Sequence, residues 1–201
     1  MPINSICMQK INSMSTFNIP KIFIETGFKE GETTNIIMNS NLFTQIYSIE
    51  LHKEYLDKKR EKFNNTNVQL ICGDSGTEMS KLLDTLNEPC MFFLDAHGHS
   101  FNDYINQEKT TCSPLYRELE AIKKFKYRKE SIIIIDDYFY IFNSKPRTNE
   151  NNDVWYDCLT DNGVTRYISE IYGEDFTSFK SNYGNVPYGK NGKNYIMMFY
   201  K

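Results

Sequence analysis

The chain has 201 residues and a mass of 23.7 kDa, enough for one domain with a sizeable core. Hydrophobic residues at 40%, aromatics at 14% and charged residues at 24% exclude a disordered or fibrous chain, and a net charge of −3 with a pI near 5.7 lacks the basic footprint of a general nucleic-acid binder. The five cysteines (Cys7, Cys72, Cys90, Cys112 and Cys158) are odd in number, scattered and without a CxxC pair, which excludes a disulfide frame or zinc site and fits reduced intracellular thiols.

No apolar run approaches the ~20 residues needed to span a bilayer. The first twenty residues mix Asn, Ser, Gln and Lys with apolar positions and lack a signal-peptide core. A cytoplasmic protein without membrane contact is therefore expected, with residues 1–20 as an N-terminal extension.

From residue 21 onward, β-branched runs alternate with helix-like segments, the βαβα order of a mainly parallel sheet. Lys21–Glu25 reads as the first strand and Thr33–Phe43 as its helix. Gln45–Glu50 is the second strand. In the helix expected over His52–Phe63, Leu56 and Phe63 share a face while Lys58, Lys59, Arg60 and Glu61 lie largely outside. Asn67–Cys72 is the third strand, followed by a helix from Ser75 to Leu86 with Met79, Leu82, Leu83 and Leu86 at helical spacing.

Cys90–Asp95 is the fourth strand. The polar stretch Gly98–Cys112 is too long for a simple turn. Ser113 and Pro114 then supply an N-cap and a first-turn proline to a helix with a buried stripe of Leu115, Leu119, Ile122 and Phe125. Ser131–Asp136, continuously apolar, is the fifth and central strand. Asp175–Lys180 and Tyr195–Lys201 read as a terminal antiparallel hairpin. The expected fold is one Rossmann-like, doubly wound α/β domain over residues 1–201, with a mostly parallel seven-stranded sheet ending in that hairpin. Residues 21–142 would form the cofactor- and metal-binding core, and 143–201 the acceptor-side segment with the hairpin.

In an open sheet of this kind, ligands bind beyond the carboxyl ends of the strands. Those ends carry Glu25-Thr26-Gly27, Glu50, Gly73-Asp74-Ser75, Asp95-Ala96-His97 and Asp136-Asp137, so each of the first five strands reaches an acid. The turn from Glu25 to Gly31 has glycines four apart but lacks the GxGxxG of a dinucleotide site. Glu25 would repel a phosphate and suits a cationic ligand. This E-x-G-x-x-x-G turn resembles the first motif of class I S-adenosylmethionine-dependent methyltransferases. The resemblance makes Glu25, Thr26, Gly27 and Gly31 cofactor residues, gives Glu50 the ribose hydroxyls, and puts the adenine beside Asp74 and Ser75.

Asp95, Asp136 and Asp137 bring three carboxylates to neighbouring strand ends, an oxygen set suited to a hard cation such as Mg²⁺. From Phe23 to about Phe142 the chain resembles the macrocin type of metal-dependent sugar O-methyltransferase. That resemblance makes Asp95, Asp136 and Asp137 the metal ligands, with Asp95 also beside the cofactor and the reacting atoms. It places the general base at His97, where the family more often has an acid. His99 is the rival base or a fourth ligand. Histidine suits the role, its ordinary pKa of ~6.5 lying near working pH.

The expectation is therefore a Mg²⁺-dependent O-methyltransferase that uses S-adenosylmethionine and acts on a sugar or glycan acceptor, with no nucleic-acid or membrane partner. Assembly into a homo-oligomer is compatible with it. A catechol or other small phenolic acceptor, a metal-dependent glycan-processing enzyme and a non-catalytic adenosylmethionine-binding module are the alternatives. The fourth strand lacks the D/N-P-P-Y of amino-group DNA methyltransferases, and Pro89-Cys90 stands at the head of that strand, where burial is expected. Tyr138, Phe139 and Tyr140, and Trp155 with Tyr156, are candidate walls or covers of the acceptor site, though core packing or a plain surface loop serves equally well.

Overall fold

A computed structural model describes residues 2–14, 19–96, 113–138, 161–182 and 195–201. The elements are α1 (Ser5–Ser13), β1 (Ile22–Thr26), α2 (Glu32–Ser40), β2 (Gln45–Glu50), α3 (Lys53–Phe63), β3 (Val68–Cys72), α4 (Ser75–Leu83), β4 (Cys90–Leu94), α5 (Leu115–Lys124), β5 (Ile132–Ile135), α6 (Asp161–Tyr172), β6 (Thr177–Asn182) and β7 (Tyr195–Tyr200). They build a seven-stranded sheet in the order β3-β2-β1-β4-β5-β7-β6. The first five strands run parallel, and β7 enters antiparallel between β5 and β6. This is the doubly wound Rossmann-like architecture the sequence predicts.

Strand alternation divides the core into two layers. Ile22, Ile24, Phe92, Leu94, Ile133 and Ile135 face one side and pack with Met79 and Leu83 of α4, Leu119 and Ile122 of α5, and Val164, Ile168 and Ile171 of α6. Phe23, Met91, Phe93, Ile132, Ile134 and Met198 face the other, against Cys7 and Ile11 of α1, Ile37 of α2, and Leu56 and Phe63 of α3. With both faces covered, β1, β4 and β5 are buried along their whole length. That is why they read as unbroken apolar runs. Each fully buried Ile or Phe contributes roughly 1.5–3 kcal/mol of transfer free energy, so these central strands hold the carboxyl edge of the sheet rigid beneath the site.

Several element ends differ from the sequence reading for local reasons. The helix expected to reach Phe43 stops at Ser40, because Asn41 takes a left-handed conformation (φ 54°). α4 ends at Leu83 rather than Leu86; Thr85 and Leu86 instead donate to the carbonyls of Leu82 and Leu83, closing tight turns. Pro114 occupies the cap position itself and not the first turn, while the Ser113 hydroxyl accepts from the Leu115 amide at 3.3 Å. The sixth strand is displaced to Thr177–Asn182, in register with β7 through Asn182 opposite Tyr195.

Two helices were not expected. α1 lies within the supposed N-terminal extension, yet Ile3, Cys7 and Ile11 are buried, and the Ser181 hydroxyl of β6 donates to Asn4 Oδ1 at 2.8 Å. Burial, with the Asp136 carboxylate adding to it, pushes the Cys7 thiol up to about 12. α6 covers α5 through Tyr116 and Tyr167, whose rings lie 5.5 Å apart, and through the Lys123–Glu170 ion pair. Among the described residues no helix is long and apolar enough to cross a membrane.

Candidate active site

The carboxyl ends of β1 to β5 share one edge of the sheet, and the turns beyond them are tied together by backbone contacts. After β1 the chain must turn sharply into α2, and Gly27 (φ +86°) and Gly31 (φ +69°) supply left-handed conformations that L side chains rarely adopt. Gly27 donates to the Ile49 carbonyl at 2.9 Å. A Cβ on Gly27 would lie 2.5 Å from the Asp95 carbonyl oxygen, and one on Gly31 would lie 2.6 Å from the Phe28 ring. The space around Gly27 is thus taken by the protein's own backbone.

Glu25, at the end of β1, is buried, and its Oε2 accepts from the Thr34 hydroxyl and, at 2.5 Å, from the Ser48 hydroxyl. Burial pushes its carboxyl up to about 8 against the pull of those two donors. Glu50 ends β2 with both oxygens oriented: Oε2 accepts from the Lys29 amide at 2.8 Å and Oε1 from the His52 amide at 2.9 Å. Each oxygen keeps a second lone pair, so a rigid acceptor pair is presented at the edge. The Glu50 carbonyl in turn accepts from the Gly73 amide at 2.8 Å, joining the β2 and β3 turns.

Asp74 stands at the N-cap of α4, but its side chain makes no cap hydrogen bond. It is paired instead with Arg117 of α5 through both carboxylate oxygens, the Nη2–Oδ2 distance being 2.9 Å, and its Oδ1 also accepts from the Thr77 hydroxyl at 3.1 Å. Ser75 donates its hydroxyl to Glu118 Oε1 at 2.6 Å. Burial pushes the Glu118 carboxyl up to about 7, against the pull of the nearby Ser75 and Thr26 side chains.

Asp95 begins immediately after β4, its amide donating to the Thr26 carbonyl at 3.1 Å and lying 3.3 Å from the Thr26 hydroxyl. Asp136, fully buried, follows β5 and donates its amide to the Leu94 carbonyl at 3.1 Å; Asp137 after it adopts a left-handed φ of 49°. Carboxylate oxygens of Asp95, Asp136 and Asp137 all lie within 4.8 Å of one another. Three like charges so close are costly without a counterion. An all-oxygen set from three acids has the chemistry of a hard-cation site. These donors fit Mg²⁺.

The structure therefore places Glu25, Thr26, Gly27, Gly31, Glu50, Asp74, Ser75 and Asp95 along one edge, and brings Asp95, Asp136 and Asp137 together. His97, His99, Phe139, Tyr140, Trp155 and Tyr156 lie outside the described residues. Tyr138 is buried and stacks on Tyr195, with ring centroids 5.8 Å apart. Cys90 is buried as expected, and burial raises its thiol pKa strongly. Sequence reasoning missed Thr34, Ser48, Arg117 and Glu118. A signal existed for Glu118: an acid three residues after Leu115 falls on the apolar stripe of its own helix.

No family model and no curated protein matches the chain. Solved structures do. An rRNA methylase from Streptococcus thermophilus is 14% identical, the match covering 100% of this chain and 98% of that one with a TM-score of 0.54. The O-methyltransferase TomG from Streptomyces achromogenes, involved in tomaymycin synthesis and solved with SAM, is 12% identical over 98% of this chain and 80% of its own, with a TM-score of 0.55. Human methyltransferase-like protein 13, in complex with SAH, is 11% identical over 92% and 73% of the two chains, with a TM-score of 0.55. The fold is that of the Rossmann-like methyltransferases.

Proposed function

We propose that the chain is an S-adenosylmethionine-dependent O-methyltransferase that requires Mg²⁺ and methylates a hydroxyl of a sugar or glycan. The observation that carries this reading is the meeting of Asp95, Asp136 and Asp137 beside a glycine turn and an oriented Glu50. The complexes of TomG with SAM and of the human protein with SAH support the choice of donor. Residues 21–142 would bind cofactor and metal, and 143–201 would face the acceptor.

In this reading Glu50 accepts both ribose hydroxyls on the lone pairs its backbone donors leave. Glu25, already held by Thr34 and Ser48, faces the cationic end of the cofactor. Asp74 and Ser75 border the adenine. S-adenosylmethionine supplies an electrophilic methyl group on its sulfonium. Asp95, Asp136 and Asp137 would hold Mg²⁺, which when bound would supply Lewis acidity toward an acceptor hydroxyl and offset the clustered charge. His97 takes the hydroxyl proton as general base. The edge's rigid turns fix donor and acceptor geometry, and such positioning supplies up to ~7–11 kcal/mol in favourable cases.

The test is calorimetric titration with S-adenosylhomocysteine, followed by methyl transfer from labelled S-adenosylmethionine to a panel of sugars and phenols with Mg²⁺ or excess chelator. Binding together with chelator-sensitive transfer to a sugar hydroxyl is expected. Transfer to phenols alone would move the acceptor class, and undiminished transfer in chelator would remove the metal.

A further inference from the structure

The start of α2 lacks a capping side chain. Its cap residue is Gly31, and the turn before it passes through left-handed conformations at Gly27, Lys29 and Gly31. Thr33 and Thr34 follow in succession, a residue type that helices accept less readily than straight-chain ones. Both are buried, and each hydroxyl has its partner outside the helix. Thr34 donates to Glu25 at the end of β1. Thr33 Oγ1 accepts from the backbone amide of Ile3 at 3.0 Å.

That amide belongs to a firmly held segment. Ile3, buried, stands just before the cap residue of α1, and removal of the Thr33 hydroxyl would strip its N–H of an acceptor. Asn4 caps α1 by accepting from the Cys7 amide at 2.8 Å, and the same Oδ1 accepts from the Ser181 hydroxyl of β6 at 2.8 Å. Ile3, Cys7 and Ile11 pack in one apolar layer with Phe28 of the glycine turn and Ile37 of α2. Two adjacent residues, Ile3 and Asn4, therefore join the start of α2 to β6, reaching partners 30 and 177 positions away.

We propose that residues 3–11 are a positioning element of the cofactor site, acting through the hydrogen bond from Ile3 to Thr33. The segment fixes the first turn of α2, and with it Glu25 and the glycine turn that receive the cofactor. The inference rests on the cofactor reading above. The glycine at the cap cannot hold the point where the turn enters the helix, and the N-terminal segment does. Loss of that bond loosens the helix end that carries Gly31 and Thr34, so cofactor binding must then order it, at a cost in affinity.

The experiment measures S-adenosylhomocysteine affinity by calorimetry, well below every melting temperature, in the unaltered chain and in Thr33→Val, Thr33→Ser, Asn4→Ala and Ser131→Ala. Thr33→Val keeps the shape and removes the acceptor, and it should weaken binding about fivefold, the scale of one hydrogen bond. Thr33→Ser keeps the hydroxyl and should bind within about twofold of the unaltered chain. Asn4→Ala releases the segment from β6 without touching α2, and should weaken binding by about two- to threefold. Ser131→Ala is the control for general destabilisation. Its hydroxyl also accepts from a buried amide, that of Cys90 at 3.0 Å, but at the opposite edge of the sheet, before β5. It should lower the melting temperature and leave affinity unchanged. Affinity in Thr33→Val equal to that of the unaltered chain overturns the proposal, as does an equal loss in Thr33→Ser or Ser131→Ala. A loss in Thr33→Val with none in Asn4→Ala overturns the part assigned to the segment. Asn4→Ala, at a half-buried position, carries the test should Thr33→Val not fold. Failure of the unaltered chain to bind would overturn the cofactor reading itself, and the inference with it.

Discussion

Gly27 and Asp95 meet so closely, across the ends of β1 and β4, that a single added carbon on Gly27 would stand 2.5 Å from the Asp95 carbonyl oxygen. The contact joins the glycine turn to the acid cluster, since Asp95 supplies one of the three clustered carboxylates. A disturbance at Gly27 therefore moves both halves of the site.

Gly27→Ala should lower the melting temperature and abolish S-adenosylhomocysteine binding. It combines a strained left-handed residue, costing on the order of 1–3 kcal/mol, with a clash against backbone that has no room to yield. Normal binding in calorimetry would show that the turn adapts and that the close contact is incidental.

Glu50→Ala should weaken S-adenosylhomocysteine by about 1.5–3 kcal/mol, the range for hydrogen bonds to a charged group. Glu50→Gln should be nearly as damaging. Both oxygens accept from backbone amides, of Lys29 and His52, and an NH₂ group would oppose one of those donors. Retained affinity in Glu50→Gln would mean that this pairing is dispensable.

Asp136→Asn and Asp95→Asn should each remove the rise in melting temperature that Mg²⁺ gives the unaltered chain. Without metal they should melt no lower than the parent, because each relieves repulsion within a triad of carboxylates. Cofactor affinity should stay near the parent value while turnover falls. A Mg²⁺-dependent shift that survives in either variant would take that residue out of the ligand set.

His97→Ala should reduce turnover about 10²–10⁴-fold, the usual cost of losing a general base, with cofactor and metal binding kept. His99→Ala should cost much less. The rising limb of the pH profile, near an ordinary histidine pKa of ~6.5, should vanish in His97→Ala. The reverse ranking of the two variants would transfer the base to His99.

Stability of the ligand-free chain should fall as pH rises. Glu25 and Glu118 are pushed up to about 8 and about 7 from an ordinary value of 4.5 by burial, so the folded state holds their protons longer than the unfolded state does. Their favourable contribution is complete below about 4.5 and is lost as pH climbs through 7 to 8. Denaturant titrations across that window should show the decline, and Glu25→Gln should flatten its upper part. An unchanged slope in Glu25→Gln would assign the decline to other groups.

The sequence by itself determined the five parallel strands and the acids at their carboxyl ends. β1, β4 and β5 are buried on both faces, which forces continuous apolar runs, and the turn after each parallel strand must leave the sheet at the same edge. The buried stripe of α5 and the glycines at 27 and 31 were legible for equally local reasons. α1 was not, because its burial comes from distant partners on β6 and the sheet and not from a strong pattern of its own. α6 carried a readable spacing in Val164, Ile168 and Ile171, but Asn162 and Gly163 and the polar stretch before them obscured where a helix would begin.

Only the tertiary structure decided which polar side chains meet. Ser48 and Thr34 reach Glu25 from residues 23 and 9 positions away, and Arg117 and Glu118 reach Asp74 and Ser75 across 43. Hydrophobic periodicity encodes the face a residue occupies. It carries no record of which buried hydroxyl satisfies which buried carboxylate, since that is settled by the packing of helices around strands that are far apart in the chain.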